Sequence, residues 1–164
     1  LSTHYTAVVG SEYTGDSRPL GRVGEDSIRN ESITRLSFPA ASFRGILSFD
    51  VLEHVPNYMQ GLSECSRVLM DGGFFLFSVP FLANRRSTLI RARLGADGSI
   101  EHLQPPEYHG DPWQRDGCLC FYHFGWDILD ACREAGFRRA KALSYWSKDY
   151  AYLGGDQLIF LATK

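Results

Sequence analysis

The chain has 164 residues, 44% of them hydrophobic and 22% charged, with a formal net charge of -2. That length supports one domain with a real core, and the near-balanced charge gives no electrostatic case for nucleic acid or an anionic membrane surface. No apolar run approaches the roughly 20 residues of a membrane helix, and Cys65, Cys118, Cys120 and Cys132 make no disulfide framework, so the expected setting is a reducing cytoplasm.

In chain order, Tyr5–Gly10 is β-rich and ends at a glycine, with acidic Glu12 just beyond. Residues 14–27, rich in Gly, Ser, Asp and Pro, read as loop. Ser27–Thr34 reads as a short polar strand and Leu36–Phe43 as a connecting turn. Gly45–Phe49 is apolar without alternation, which predicts a strand covered on both faces of the sheet. Asn57 offers a helix N-cap, and Met59, Leu62, Cys65 and Leu69 recur at helical spacing. Asp71-Gly72-Gly73 is suited to ending that helix, and Phe74–Val79 follows as a second apolar strand that Pro80 terminates. Strand, helix and strand with short connections predict a parallel βαβ unit with a right-handed crossover.

Residues 82–124 show weak periodicity and are rich in Arg, Pro and His, which predicts a functional insertion or lid. Within it, Arg85, Arg86, Arg91 and Arg93 read as a solvated helix face. Gly125–Gly136 predicts a helix with Trp126, Leu129 and Cys132 on one side and Gly136 as its cap. Phe137–Trp146 and Gln157–Thr163 predict two final strands, antiparallel because the connection through Leu153-Gly-Gly-Asp156 is too short for a helical crossover.

Three stretches, Leu36-Ser-Phe-Pro-Ala-Ala-Ser-Phe43, Ile46-Leu-Ser-Phe-Asp-Val-Leu-Glu-His-Val55 and Glu64-Cys-Ser-Arg-Val-Leu-Met-Asp-Gly-Gly73, together resemble the class I S-adenosylmethionine-dependent methyltransferases. The resemblance implies an α/β fold: a partial Rossmann-like, mostly parallel sheet with flanking helices and a C-terminal antiparallel hairpin. It implies S-adenosyl-L-methionine as cofactor, with Glu12 holding the ribose hydroxyls through a carboxylate that accepts two hydrogen bonds. Ser32 and Ile33 fall at the adenine position, where the family has Asp and an apolar residue; here the acidic side chain stands one place earlier, at Glu31. Ser48 and Asp50 end the strand that faces the methionine end. Arg44 departs from a position where the family often carries Asp. The family's first strand and Gly-x-Gly-x-Gly loop have no counterpart, so residues 1–164 are expected to be one N-terminally incomplete methyltransferase-like domain, the later portion of a longer enzyme.

Glu53 and His54 follow at the mouth of that expected site, and Glu107, Tyr108 and His109 lie in the 82–124 segment; these five are the candidate substrate-binding residues. His54, His102 and His109 are the candidate bases, needed only for a hydroxyl or protonated-amine acceptor. A lone His packs or caps as often as it reacts. His102, His109, Asp111 and His123 also permit a metal reading, but their spacing matches no common zinc pattern, and no metal is expected.

The function expected is methyl transfer to a small-molecule, glycan or lipid-linked acceptor. The alternatives are a non-catalytic methyltransferase-like binding module and, more distantly, a metal-dependent hydrolase built on His102, His109 and His123. A small molecule is the expected partner, without nucleic acid or a membrane span; a homodimer is compatible with the sequence.

Overall fold

A computed structural model describes residues 8–15, 18–25, 27–110 and 117–164. Two short strands open it, β1 (Ser11–Glu12) and β2 (Arg29–Asn30), parallel to each other in a sheet of their own. The predicted first strand at Tyr5–Gly10 lies partly outside the described residues, and extended pairing begins only at Ser11. The polar strand expected over Ser27–Thr34 is limited to two residues; the Glu31 amide still donates to Glu12 O, while its buried carboxylate binds Arg29 Nε at 2.8 Å and the Ser37 amide at 2.8 Å.

The βαβ unit is β3 (Phe43–Phe49), a 3-10 turn (Leu52–His54), α1 (Tyr58–Val68) and β4 (Leu69–Ser78), with β3 and β4 parallel as expected. Asn57 caps α1 by accepting the Gln60 amide. The helix stops three residues before the expected glycine turn, at the extended Leu69, and Asp71-Gly72-Gly73 instead forms an irregularity within β4. Gly72 supplies the left-handed φ of 77° needed there, a conformation glycine takes without strain. The described residues of 82–124 hold more regular structure than their composition suggests. They hold β5 (Leu89–Ile90), β6 (Ala92–Leu94), β7 (Ile100–His102), β8 (Tyr108–His109), β9 (Cys118–Leu119) and β10 (Tyr122–His123), paired β5 with β10, β6 with β7 and β8 with β9. The Arg85–Arg93 stretch is therefore not a helix face.

Helix α2 (Ile128–Glu134) is shorter than expected, because Asp127 spends its carboxylate on the Thr88 amide and hydroxyl instead of a helix cap. Gly136 follows it with φ 102°. The last two strands, β11 (Arg139–Ser147) and β12 (Tyr152–Thr163), are antiparallel as expected, but the turn falls at residues 148–151 and the Gly154-Gly155 pair lies inside β12. The main sheet has the order β11-β12-β4-β3.

The core lies on one side of this sheet. Phe75 and Phe77 of β4 stack at 4.6 Å and Phe160 of β12 stacks on Phe77, under Leu62 and Cys65 of α1 and Ile128 and Cys132 of α2. Burial among these side chains pushes the Cys65 and Cys132 thiols up to about 12, the behaviour of small hydrophobes. Leu47, Phe49 and Phe74, on the opposite face, are about half exposed. The expectation that β3 is covered on both faces is therefore corrected: α1 and α2 both pack on the same side, and no described element covers the other.

The connection into β3 is clamped by one side chain. Arg67 donates to Leu36 O (2.9 Å), Phe38 O (2.8 Å) and the Glu64 carboxylate, whose Oε2 also accepts the Leu36 amide. Arg67 holds the Glu64 carboxyl below its ordinary range. The unfolded chain then binds the proton more readily than the folded one, so this contribution is complete at neutral pH and fades as pH falls through the acid range. Arg67→Ala should cost about 1–2 kcal/mol in urea unfolding at pH 7, since it strands two backbone carbonyls. The gap from wild type should narrow in the same measurement repeated toward pH 3.

Candidate functional site

The paired strands β1 and β2 lead into Tyr13 and Ser32, and β3 leads by its carboxyl end, where open α/β sheets bind ligands, into the 50–57 loop. A groove of about 590 Å³ lies there, lined by Tyr13, Asn30, Ser32, Thr34, Asn57 and Gln60 among others. Its volume is within the range of small-molecule sites. Of the residues singled out in the sequence, Ser32 lines this groove directly, its hydroxyl 2.9 Å from that of Thr34. Glu12 is exposed at the end of β1, beside Tyr13. Ile33 packs against α1 at Gly61. Glu31 is committed to Arg29 and Ser37, which makes it a brace of its own loop.

Asp50 ends β3 in the left-handed region, φ 53°, a conformation that costs a non-glycine residue on the order of 1 kcal/mol. Its amide donates to Ser78 O and its Oδ1 accepts from the Ser78 hydroxyl at 2.9 Å, so β4 holds the strained corner. Ser48 lies one register pair earlier, opposite Phe77. The sharp corner turns the chain into Leu52–His54 and drives Glu53 inward.

Glu53 is fully buried, at 0% exposure, and neither carboxylate oxygen has a hydrogen-bond partner. Burial pushes its carboxyl up to about 7, with the Asp50 charge adding in the same direction. Two imidazoles face it. His54 Nε2 stands 3.8 Å and His109 Nδ1 3.7 Å from Glu53 Oε1, and the two rings meet edge to face at 4.8 Å.

Behind His109 is a second carboxylate. Glu107 Oε1 lies 3.0 Å from both His109 Nε2 and His123 Nε2, and its Oε2 is 3.0 Å from Arg91 Nη2. These donors hold the Glu107 carboxyl down at about 2, with the hydrogen bond from His109 the largest cause. The 82–124 segment is tied over Glu53 by three further bonds: Phe121 N donates to Glu53 O (2.7 Å), the Tyr122 hydroxyl to Pro56 O (2.5 Å), and His54 Nδ1 to Leu119 O (2.9 Å).

Glu53, His54, Glu107 and His109 are thus gathered into one cluster from two distant stretches of chain. Tyr108 and His102 are exposed and stand outside it, His102 pairing with Ala92 across the β6–β7 ladder. The metal set read from the sequence does not assemble, since neither group of potential ligands includes His102 among the described residues. Asp111 lies outside those residues. Arg91 corrects the solvated-face reading: its side chain is 13% exposed, and it also donates to Pro105 O.

Known proteins share part of this chain's sequence and its fold. Residues 3–77 match the model of the methyltransferase domain family. A probable S-adenosylmethionine-dependent methyltransferase of Mycolicibacterium smegmatis is 43% identical over 53 residues, 32% of this chain and 21% of that relative. Over less than half of its length, the chain is similar in sequence to S-adenosylmethionine-dependent methyltransferases. Its alignment spans about a fifth of the curated relative's length. Among solved structures, an S-adenosylmethionine-dependent methyltransferase of Mesorhizobium loti superposes with TM-score 0.52 at 19% identity, covering 86% of this chain and 72% of that one. A Haloferax volcanii putative methyltransferase in complex with the Trm112 activator gives TM-score 0.52 at 16% identity, covering 85% of this chain and 62% of that one. The [4+2]-cyclase SpnF gives TM-score 0.50 at 13% identity, over 85% and 58%. These likenesses establish the fold of the methyltransferase family, and fold alone assigns no chemistry.

Because a carbonyl and an ionised carboxylate only accept, neutral His54 must carry its hydrogen on Nδ1 and neutral His109 on Nε2. Long-range nitrogen–proton correlation spectra of the neutral rings should show these two opposite tautomers. Glu107→Gln should disturb the His109 pattern and leave that of His54 in place.

Proposed function

We propose that this protein transfers a methyl group from S-adenosylmethionine to a small-molecule, glycan or lipid-linked acceptor, with the cofactor in the Tyr13–Ser32–Asn57 groove and the acceptor at the Glu53–His54–His109 cluster. The observation that carries this reading is the 50–57 loop. It leaves the carboxyl end of β3, sends Glu53 and His54 into the cluster, and reaches the groove at Asn57.

The groove suits the donor. Tyr13 is 63% exposed and offers a ring for a base to stack on, while Ser32, Thr34, Asn30 and Gln60 offer hydroxyl and amide groups. Glu12, at the end of the strand leading to Tyr13, is the carboxylate assigned to the ribose diol. Ile33 backs the adenine side from its seat on α1, and Ser48 and Asp50 end the strand directed at the methionine end. The bound cofactor supplies an already activated methyl group, so this chain's residues have to align the acceptor and exclude water.

The 82–124 segment acts as the acceptor lid. Its strands β9 and β10 roof Glu53, and its Glu107, Tyr108 and His109 supply polar contacts beside the buried carboxylate. For an acceptor that must lose a proton, His54 and His109 are the groups placed to take it. His102, on the exposed β7, has no part in this arrangement.

Calorimetric titration of the full-length protein with S-adenosylmethionine should show binding, weakened at least tenfold in Glu12→Ala and unchanged in His109→Ala. His109→Ala should instead lower kcat by about 10²–10⁴ for a hydroxyl acceptor, the usual yield of a positioned base. Absence of binding by the full-length protein would sink the proposal.

A further inference from the structure

The buried Glu53 carboxylate needs an explanation beyond the fold. An unpartnered buried carboxylate is among the costliest groups a protein can hold, and it is kept where a proton, a cation or a metal compensates it. Among the described residues no lysine or arginine pairs with Glu53; the groups that stand against it are the rings of His54 and His109.

We propose that Glu53 Oε1, His54 Nε2 and His109 Nδ1 bind one divalent transition-metal ion of the zinc class. These three atoms lie within 4.8 Å of one another, with the two imidazole nitrogens 3.8 and 3.7 Å from the carboxylate oxygen. Ligands around a four-coordinate zinc, each about 2.0–2.2 Å from the ion, stand about 3.3–3.5 Å apart. The two nitrogen–oxygen distances therefore have to contract by a few tenths of an ångström, and the nitrogen–nitrogen separation, bounded at 4.8 Å, by up to about 1.5 Å.

The tautomers decide the case. His54 donates its Nδ1 hydrogen to Leu119 O, and His109 donates its Nε2 hydrogen to Glu107 Oε1. In each neutral ring the remaining nitrogen, the one directed at Glu53, then carries a lone pair. A carboxylate or carbonyl that takes the outer imidazole hydrogen and orients the ring is the usual second layer of a metal site. Here that layer is itself braced, because Glu107 is held by Arg91 and His123. Had the site evolved only to share a proton, the hydrogens would be expected to face Glu53, and both are turned away from it.

The donor types select the ion. Two imidazoles and one carboxylate suit zinc, iron or manganese, whereas calcium and magnesium prefer oxygen throughout. Three protein ligands leave a coordination position for a water or an acceptor oxygen. The other potential ligand group, Glu107, Cys120 and His123, is already committed: Glu107 to its three donors and the Cys120 thiol to Tyr122 O. With the ion bound, these two rings are ligands and no longer bases, so the proposal replaces their role as proton acceptors; zinc uptake is read without donor or acceptor, so it and methyl transfer can each fail alone.

The test is calorimetric titration of the chelator-stripped protein with zinc chloride, with cobalt(II) uptake followed by visible absorption. One ion per chain is expected. Affinity should fall at least 100-fold in Glu53→Gln and in His109→Ala, and about 10–100-fold in Glu107→Gln. The exposed Glu101→Gln should bind as wild type does. Thermal melts followed by circular dichroism check that each variant is folded; if Glu53→Gln is not, His54→Ala and His109→Ala carry the comparison. A wild type that takes up no zinc overturns the proposal, and so does stoichiometric uptake that survives in the folded ligand variants.

Discussion

The arrangement of this protein turns on the burial of one carboxylate. Glu53 is carried inward by the strained corner at Asp50 and sealed by the link between β9 and β10, whose Phe121 N donates to the Glu53 carbonyl. Burying a carboxylate without a cation or hydrogen-bond donor opposes folding. The surroundings answer with two oriented imidazoles, and behind them an arginine-braced carboxylate that sets how one of those rings lies. Removing Glu53 would leave the 50–57 turn, the β9–β10 strands and the His109 ring without a common object.

The same corner joins two chemically different spaces. On one side is a groove with an exposed tyrosine, hydroxyls and amides; on the other is a compact knot of imidazole and carboxylate. Parallel strands make this possible, because their carboxyl ends all open at one edge and the loops leaving them converge there. The aromatic stack of Phe75, Phe77 and Phe160 keeps that edge rigid from beneath. The opposite face of the sheet, with Leu47, Phe49 and Phe74, plays no part in it.

Much of this was legible in the chain. The helical stripe of α1 and the apolar runs of β3 and β4 place the βαβ unit, because burial imposes a period on side chains. The Leu-Glu-His-Val stretch was legible as ionisable residues following directly on an apolar strand, and the fold gathers its Glu53 and His54 with His109. Glu107 and His109 were visible as reactive types in an irregular segment. Arg91 was not, since its cationic neighbours in sequence are solvated and only the fold brings it to Glu107. The reading of His102 with His109 and His123 failed because the β6–β7 hairpin carries His102 out to solvent.

Local sequence therefore determined the βαβ unit with its parallel pairing and the final antiparallel pair, which follow from hydrophobic period and short connections. The chemistry of the site was decided by tertiary structure. A carboxylate and its two imidazoles meet across more than fifty residues of chain only because β9 and β10 close over the 3-10 turn. Which nitrogen of each ring faces Glu53 depends on a carbonyl and a carboxylate that no pattern of spacing could have placed beside it.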